Sequence, residues 1–171
     1  MIRFFNLLGV ALLMFTLFVS CGTVKYSFSG ASIPPEAKTV SVQYIANNAS
    51  IINPQLSQEL TDAIKDKFQS QTSLKLINGV GDLDFEGEIT GYNVKPVAIQ
   101  GGDVAAKNRL TITIRMKYAN PIDPKYEFEK SFSRYEDYDS NQDLRSVEDE
   151  ITEKIIEQLV EDVFNESVVN W

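Results

Sequence analysis

The run from Arg109 to Tyr118 alternates between apolar and polar residues without interruption. Its apolar positions are Leu110, Ile112, Ile114, Met116 and Tyr118, and its polar positions are Arg109, Thr111, Thr113, Arg115 and Lys117. Such strict period-two patterning is typical of a β-strand that is buried on one face and solvated on the other. A sheet of such strands has one apolar face, so other elements of the chain must cover that face.

Two segments have the helical periodicity that can supply this cover. The first, from about 54 to 70, follows Asn53-Pro54, which predicts an asparagine N-cap and a proline at the first helical position. Its apolar stripe consists of Leu56, Leu60, Ile64 and Phe68. The second runs from about 143 to 165, with a stripe of Leu144, Val147, Ile151, Ile155, Leu159 and Val163. Each predicted helix has one apolar face to bury.

Four more segments have strand patterns, namely 39–45, 74–77, 81–94 and 126–135. Gly87 and Gly91 inside the third of these indicate close packing or a β-bulge. In the strand over 39–45, Val40, Val42 and Tyr44 point to one face. A loop or hairpin region is expected over 100–103, and a polar, acidic loop is expected over 134–143. The element order β-α-β-β-β-β-α predicts an α+β fold, a two-layer sandwich over 39–171. In it, both helices pack on one face of a four- to five-stranded mixed, mostly antiparallel sheet.

The residue inventory excludes several kinds of chemistry. The chain has no histidine and one cysteine, so Ser-His-Asp and Cys-His catalysis and internal disulfides are ruled out. Its net charge of −8 makes it a poor partner for nucleic acid. Asp84, Glu86 and Glu88 share one strand face, and such carboxylates can serve acid–base catalysis or Ca²⁺ binding, but nothing else for such a site is present. We therefore expect a protein that is not an enzyme and has no cofactor or metal.

The first twenty residues have the pattern of a secretory signal peptide, with Arg3 ahead of an apolar run from Phe4 to Val19. The run is short for a membrane-spanning helix. Ser20 then precedes Cys21, and this junction resembles the lipobox of bacterial lipoproteins, although Phe18 stands where leucine is usual. The resemblance implies cleavage before Cys21, acylation of Cys21, and a lipidated tether over 21–38. An uncleaved signal anchor, or an ordinary signal peptide followed by a spare cysteine, are the alternatives.

The polar face of the predicted sheet admits two interpretations. The strand from 82 to 88 presents Asp82, Asp84, Glu86 and Glu88, and the strand from 109 to 117 presents Arg109, Arg115 and Lys117. If these strands are neighbours, the charges can pair across the sheet and leave a solvated charged surface. Alternatively this face, with Lys107 and Lys95 nearby, docks a partner or an anionic ligand.

Several segments together resemble the LptE family of outer-membrane lipoproteins. They are the lipobox at Cys21, Tyr26 to Pro35, Val40 to Tyr44, the helix that follows Asn53-Pro54, Gly81 to Tyr92, and Asn108 to Arg115. The resemblance implies two helices on a sheet and a position in the outer membrane, lipid-anchored on the periplasmic side. The absence of an acidic run after Cys21 also favours that side.

The same resemblance implies a function. Proteins of this family bind the barrel LptD as a plug, help it assemble, and assist lipopolysaccharide insertion into the outer leaflet. The expected partners are therefore an LptD-like barrel, lipopolysaccharide, and the membrane through the N-terminal lipid. By residue type, the candidates for lipopolysaccharide or partner contacts are Lys107, Arg109, Arg115 and Lys117. The alternative is a periplasm-facing lipoprotein scaffold or solute-binding module unrelated to lipopolysaccharide export.

Overall fold

A computed structural model of the chain describes residues 33–51, 53–97 and 106–168. The signal peptide, Cys21 and most of the tether lie outside the described residues, as does the segment 100–103, expected to be a loop or hairpin. The described part contains two α-helices, α1 (Leu56–Gln71) and α2 (Leu144–Val168), and a short 3-10 helix at Pro124–Tyr126. The strands are β1 (Thr39–Val42), β2 (Ala46–Asn47), β3 (Lys75–Leu76), β4 (Leu83–Val97), β5 (Lys107–Ala119) and β6 (Phe128–Asp139). No helix among these residues is long and apolar enough to cross a bilayer.

The strands form one mixed sheet in the order β3-β1-β4-β5-β6, with β2 pairing separately with β4. The pairings of β4 with β5 and of β5 with β6 are antiparallel, whereas β1 runs parallel to both β3 and β4. The predicted α+β fold is confirmed. With six strands, the sheet is slightly larger than expected because β2, a two-residue strand parallel to Glu88 and Ile89, adds to the five main strands.

A chain of aromatic contacts shows that both helices cover the same face of the sheet. Phe85 on β4 lies 4.7 Å, centroid to centroid, from Phe68 on α1 and 4.7 Å from Tyr118 on β5. Phe68 in turn lies 5.2 Å from Phe164 on α2. The stripes predicted from the sequence supply the rest of the core, with Leu60, Ile112, Ile155 and Leu159 all fully buried.

Both glycines singled out in β4 have the predicted kinds of role. A β-carbon on Gly87 would lie 2.9 Å from the Arg115 carbonyl oxygen, so the two strands approach too closely for a side chain there. The register with β5 shifts between Ile89 and Gly91, which marks a β-bulge. The bulge changes the alternation, so that Ile89 faces the core before it and Tyr92 faces the core after it.

Three details of the predicted elements are wrong. Helix α1 begins at Leu56, and Asn53 is not its N-cap but accepts a hydrogen bond from the Gln55 N–H at 3.0 Å. Strand β1 ends at Val42, leaving Tyr44 60% exposed instead of facing the core. The expected loop over 134–143 is mostly strand, because β6 continues to Asp139.

Candidate outer sheet face

The candidate site is the face of the sheet turned away from the helices, here called the outer face. It is built by the alternating side chains of β4, β5 and β6 that do not enter the core. Register places Arg109 between Lys95 and Asp137, and places Lys107 between Val97 and Asp139. All four predicted contact residues, Lys107, Arg109, Arg115 and Lys117, lie on this face along β5.

The four cations form two groups rather than one cluster. Arg109 and Arg115 are six residues apart on a strand that rises about 3.3 Å per residue, so they lie about 20 Å apart. The surface between them carries no charged side chain. It is formed by Gly91, Asn93, Thr111, Thr113, Ser133 and Tyr135, with 3.0 Å between the Thr113 and Ser133 hydroxyl oxygens.

The first group pairs across the sheet, as one of the two interpretations predicted. Arg115 lies 3.1 Å from Glu88, and Lys117 lies 3.2 Å from Glu86, each measured from nitrogen to carboxylate oxygen. These side chains are between 32% and 56% exposed, so each pair contributes only about 0.2–1 kcal/mol. Their main consequence is electrostatic, because the carboxylates neutralise Arg115 and Lys117.

The second group contains a pair that sequence reasoning missed. Arg109 makes a bidentate hydrogen-bonded ion pair with Asp137 on β6, at 2.7 and 2.9 Å, and its guanidinium stacks on the Tyr135 ring at 3.6 Å. The hydrogen bonds with Asp137 raise the pKa of Arg109, and those same bonds lower the pKa of Asp137. Within the described ranges, Lys95 and Lys107 form no ion pair, although Lys107 lies opposite Asp139 and its charge helps to lower the pKa of Asp137. The less neutralised positive charge of the outer face therefore lies at this end of the sheet.

The four carboxylates expected on the outer face of β4 are not all exposed. Asp84 is 7% exposed, because its carboxylate accepts hydrogen bonds from the Ser41 hydroxyl and, at 3.0 Å, from the Gln43 amide. Asp82 accepts the N–H groups of Lys38 and Thr39, each at 2.9 Å. These two carboxylates hold β1 against β4 and so have a structural role.

The pKa of Asp82 is lowered from its ordinary value of 3.8, first by the hydrogen bond from the Lys38 N–H and then by those from Thr39. The ionised form therefore stabilises the fold above pH 3.8, and this stabilisation is lost as the pH falls below that value. We expect Asp82→Asn to flatten the acid side of a plot of melting temperature against pH, as the pH falls below 3.8. The control is Glu59→Gln on the exposed face of α1. If both variants lose stability with acid as steeply as the parent, the Asp82 contacts are not the cause.

The opposite surface of the molecule has a different character. A groove of about 970 Å³ runs between α1 and α2. Its lining includes the carboxylates of Glu59, Asp62, Asp66, Asp149, Glu153, Glu157 and Glu161, together with Lys67, which pairs with Glu161. An anionic ligand is repelled there, so the outer face of the sheet is the better surface for one.

Two helices on one face of a mixed sheet define a class of α+β domain found in solved bacterial proteins. A hypothetical protein from Chlamydia trachomatis matches with a TM-score of 0.51 at 11% identity, over 78% of this chain and 99% of that one. A minor lipoprotein from Acinetobacter baumannii matches with a TM-score of 0.49 at 12% identity, over 75% and 91%. Rare lipoprotein B from Shewanella oneidensis matches with a TM-score of 0.45 at 10% identity, over 75% of this chain and 90% of that one.

At such low identities, structural likeness concerns the fold alone, and no protein of curated function matches the sequence. The family comparison is more specific. The model of LptE, the lipopolysaccharide-assembly family, matches residues 37–167, which include every helix and strand of the sandwich except Val168, the last residue of α2. The chain therefore belongs to the LptE family.

Proposed function

We propose that this protein is anchored by lipid on Cys21 to the periplasmic side of the outer membrane, where it binds an LptD-like barrel. There it acts as a plug, helps the barrel assemble, and assists the insertion of lipopolysaccharide into the outer leaflet. Membership of the LptE family over residues 37–167 is the observation that carries this proposal. The role is one of binding and assembly, not catalysis.

The polarity of both broad surfaces supports a position inside a barrel. The outer face of the sheet carries ion pairs and hydroxyl groups, and the outward surface of the helices carries carboxylates. Large apolar side chains that are exposed, such as Tyr44, Val80 and Ile122, are scattered. The lumen of a transmembrane barrel is polar, so such a body suits the lumen better than the lipid.

Recovery of the barrel with this protein tests the partnership. We expect the full-length, C-terminally tagged protein to bring down a large outer-membrane β-barrel from detergent-solubilised envelopes. A tagged lipoprotein of another family, expressed at the same level, serves as the control. If no barrel is recovered above that control, the proposal fails and the scaffold or solute-binding alternative gains support.

Direct contact with lipopolysaccharide should depend on the end of the outer face that carries Lys95 and Lys107, where the positive charge is less neutralised. We expect Lys95→Ala combined with Lys107→Ala to weaken lipopolysaccharide binding about two- to thirtyfold, since exposed charge contacts contribute about 0.2–1 kcal/mol each. The loss should shrink as salt is added. Arg115→Ala combined with Lys117→Ala removes equal charge from neutralised positions and should have a smaller effect. Equal losses in the two double variants would contradict this assignment of Lys107.

A further inference from the structure

Strand β6 is the last strand on its side of the sheet and is unusually regular. It pairs with β5 over its full 12 residues, from Phe128 opposite Tyr118 to Asp139 opposite Lys107, without a register shift. No described strand pairs with its other side. An edge strand of this length presents a row of backbone N–H and C=O groups that can pair with another chain.

One hydrogen bond determines which residues of β6 present these groups. The Ser140 N–H donates to the Ala106 carbonyl at 3.0 Å, so these two residues form a hydrogen-bonded pair. Bonded and non-bonded pairs alternate along an antiparallel ladder. The even-numbered residues of β6 therefore bond to β5. The residues whose backbone groups point away from β5 are Glu129, Ser131, Ser133, Tyr135 and Asp137.

The usual protection of an edge is weak here. Proteins guard edges with proline, bulges or free charged side chains, and β6 has no proline and no bulge. Of its six charged side chains, three are held in ion pairs: Lys130 with Glu166, Arg134 with Asp162, and Asp137 with Arg109. Glu136 accepts a hydrogen bond from the Gln158 amide, and the exposed Glu129 and Asp139 lie near the two ends of the strand. At the centre of the edge, Ser131 and Ser133 are exposed and small. The middle of β6 is therefore open to an incoming strand.

We infer that the free edge of β6 binds an extended segment of the barrel partner by β-strand addition, so that the partner's backbone continues the sheet. This inference rests on the proposed function. A second copy of this chain is a poorer occupant, because each copy carries a net charge of −8. Antiparallel self-pairing centred on Ser133 also places Glu129 opposite Asp137 of the other copy. The net negative charge of this protein favours a partner segment that is neutral or basic.

Two substitutions at one residue separate edge pairing from contact through the outer face. Ser131→Pro removes a backbone N–H that β5 does not use, a position where an edge strand tolerates proline. Ser131→Ala makes a similar change to the side chain and keeps the N–H. In full-length tagged protein, we expect Ser131→Pro to lower barrel recovery about tenfold or more, and Ser131→Ala to leave it near the parent level.

Hydrogen exchange of the parent protein gives a measurement that does not depend on a variant folding. We expect amides in the peptide 128–139 to exchange more slowly in the barrel complex than in the free protein. Recovery by Ser131→Pro equal to that by Ser131→Ala, with unchanged exchange in the complex, overturns the inference and leaves the proposed function standing. Slower exchange that depends on concentration in the free protein identifies a second copy and also overturns it. If the parent recovers no barrel, both proposals fail.

Discussion

Replacing Phe85 by alanine is expected to lower the free energy of unfolding by about 3–5 kcal/mol, the usual cost of truncating a buried aromatic ring. Phe85 is fully buried and lies between Phe68 of α1 and Tyr118 of β5, each 4.7 Å away between ring centroids. The cavity would open at the contact between the helices and the sheet, where neither layer can collapse easily. Domains of this size have a total free energy of unfolding of about 5–15 kcal/mol, so Phe85→Ala removes a large fraction of their stability.

Equilibrium unfolding in urea, followed by circular dichroism, measures this effect. Val80→Ala is the control, because Val80 is 79% exposed and truncating it should change stability by less than about 0.5 kcal/mol. The loss of unfolding free energy in Phe85→Leu should lie between the losses in Phe85→Ala and Val80→Ala. If Phe85→Ala costs no more than Val80→Ala, the aromatic contact does not join the layers as described.

The second large effect concerns Cys21. We expect the native protein to begin at Cys21 and to carry fatty acyl chains, and we expect Cys21→Ser to lose all acyl mass, because serine has no thiol to receive the lipid. Since one acyl chain gives only marginal membrane binding, stable anchoring requires two or more. Mass spectrometry of protein purified from envelopes reads both the N-terminus and the acyl mass. An intact Met1 would identify a signal anchor, and a trimmed, unacylated chain would identify an ordinary signal peptide.

The layers of the fold could be predicted because the patterns that specify them are local. The period of four from Leu56 to Phe68 and the period of two from Leu110 to Tyr118 each identify a buried face without knowledge of neighbours. The strand predicted over 126–135 ends four residues before β6 does, because the second half of β6, from Arg134 to Asp139, contains mostly charged residues. Those charges are stabilised by α2 and β5, as in the pairs Arg134–Asp162 and Asp137–Arg109, and sequence periodicity does not contain that information.

The candidate site could be predicted only in part, for the same reason. The alternation of β5 placed Arg109, Arg115 and Lys117 on one face, and the neighbouring carboxylates of β4 indicated the pairs with Glu88 and Glu86. The burial of Asp84 depends on Ser41, a residue 43 positions earlier in the chain. The partner of Arg109 lies in the segment expected to be a loop, although Ser133, Tyr135 and Asp137 continue the alternation of β6 and could have signalled it.

The bulge between Ile89 and Gly91 determines which side chains of β4 face the core on either side of it. Ahead of it Leu83, Phe85 and Ile89 are buried in the core, and beyond it Tyr92 is, so the inward-facing positions change from odd to even numbers. Thr90 is the extra residue, since Ile89 lies opposite Ile114 and Gly91 lies opposite Thr113. A regular strand over the same residues would turn the Tyr92 ring to the outer face and break its 2.5 Å hydrogen bond to Glu148. This single additional residue therefore lets both ends of a long strand pack against the same core.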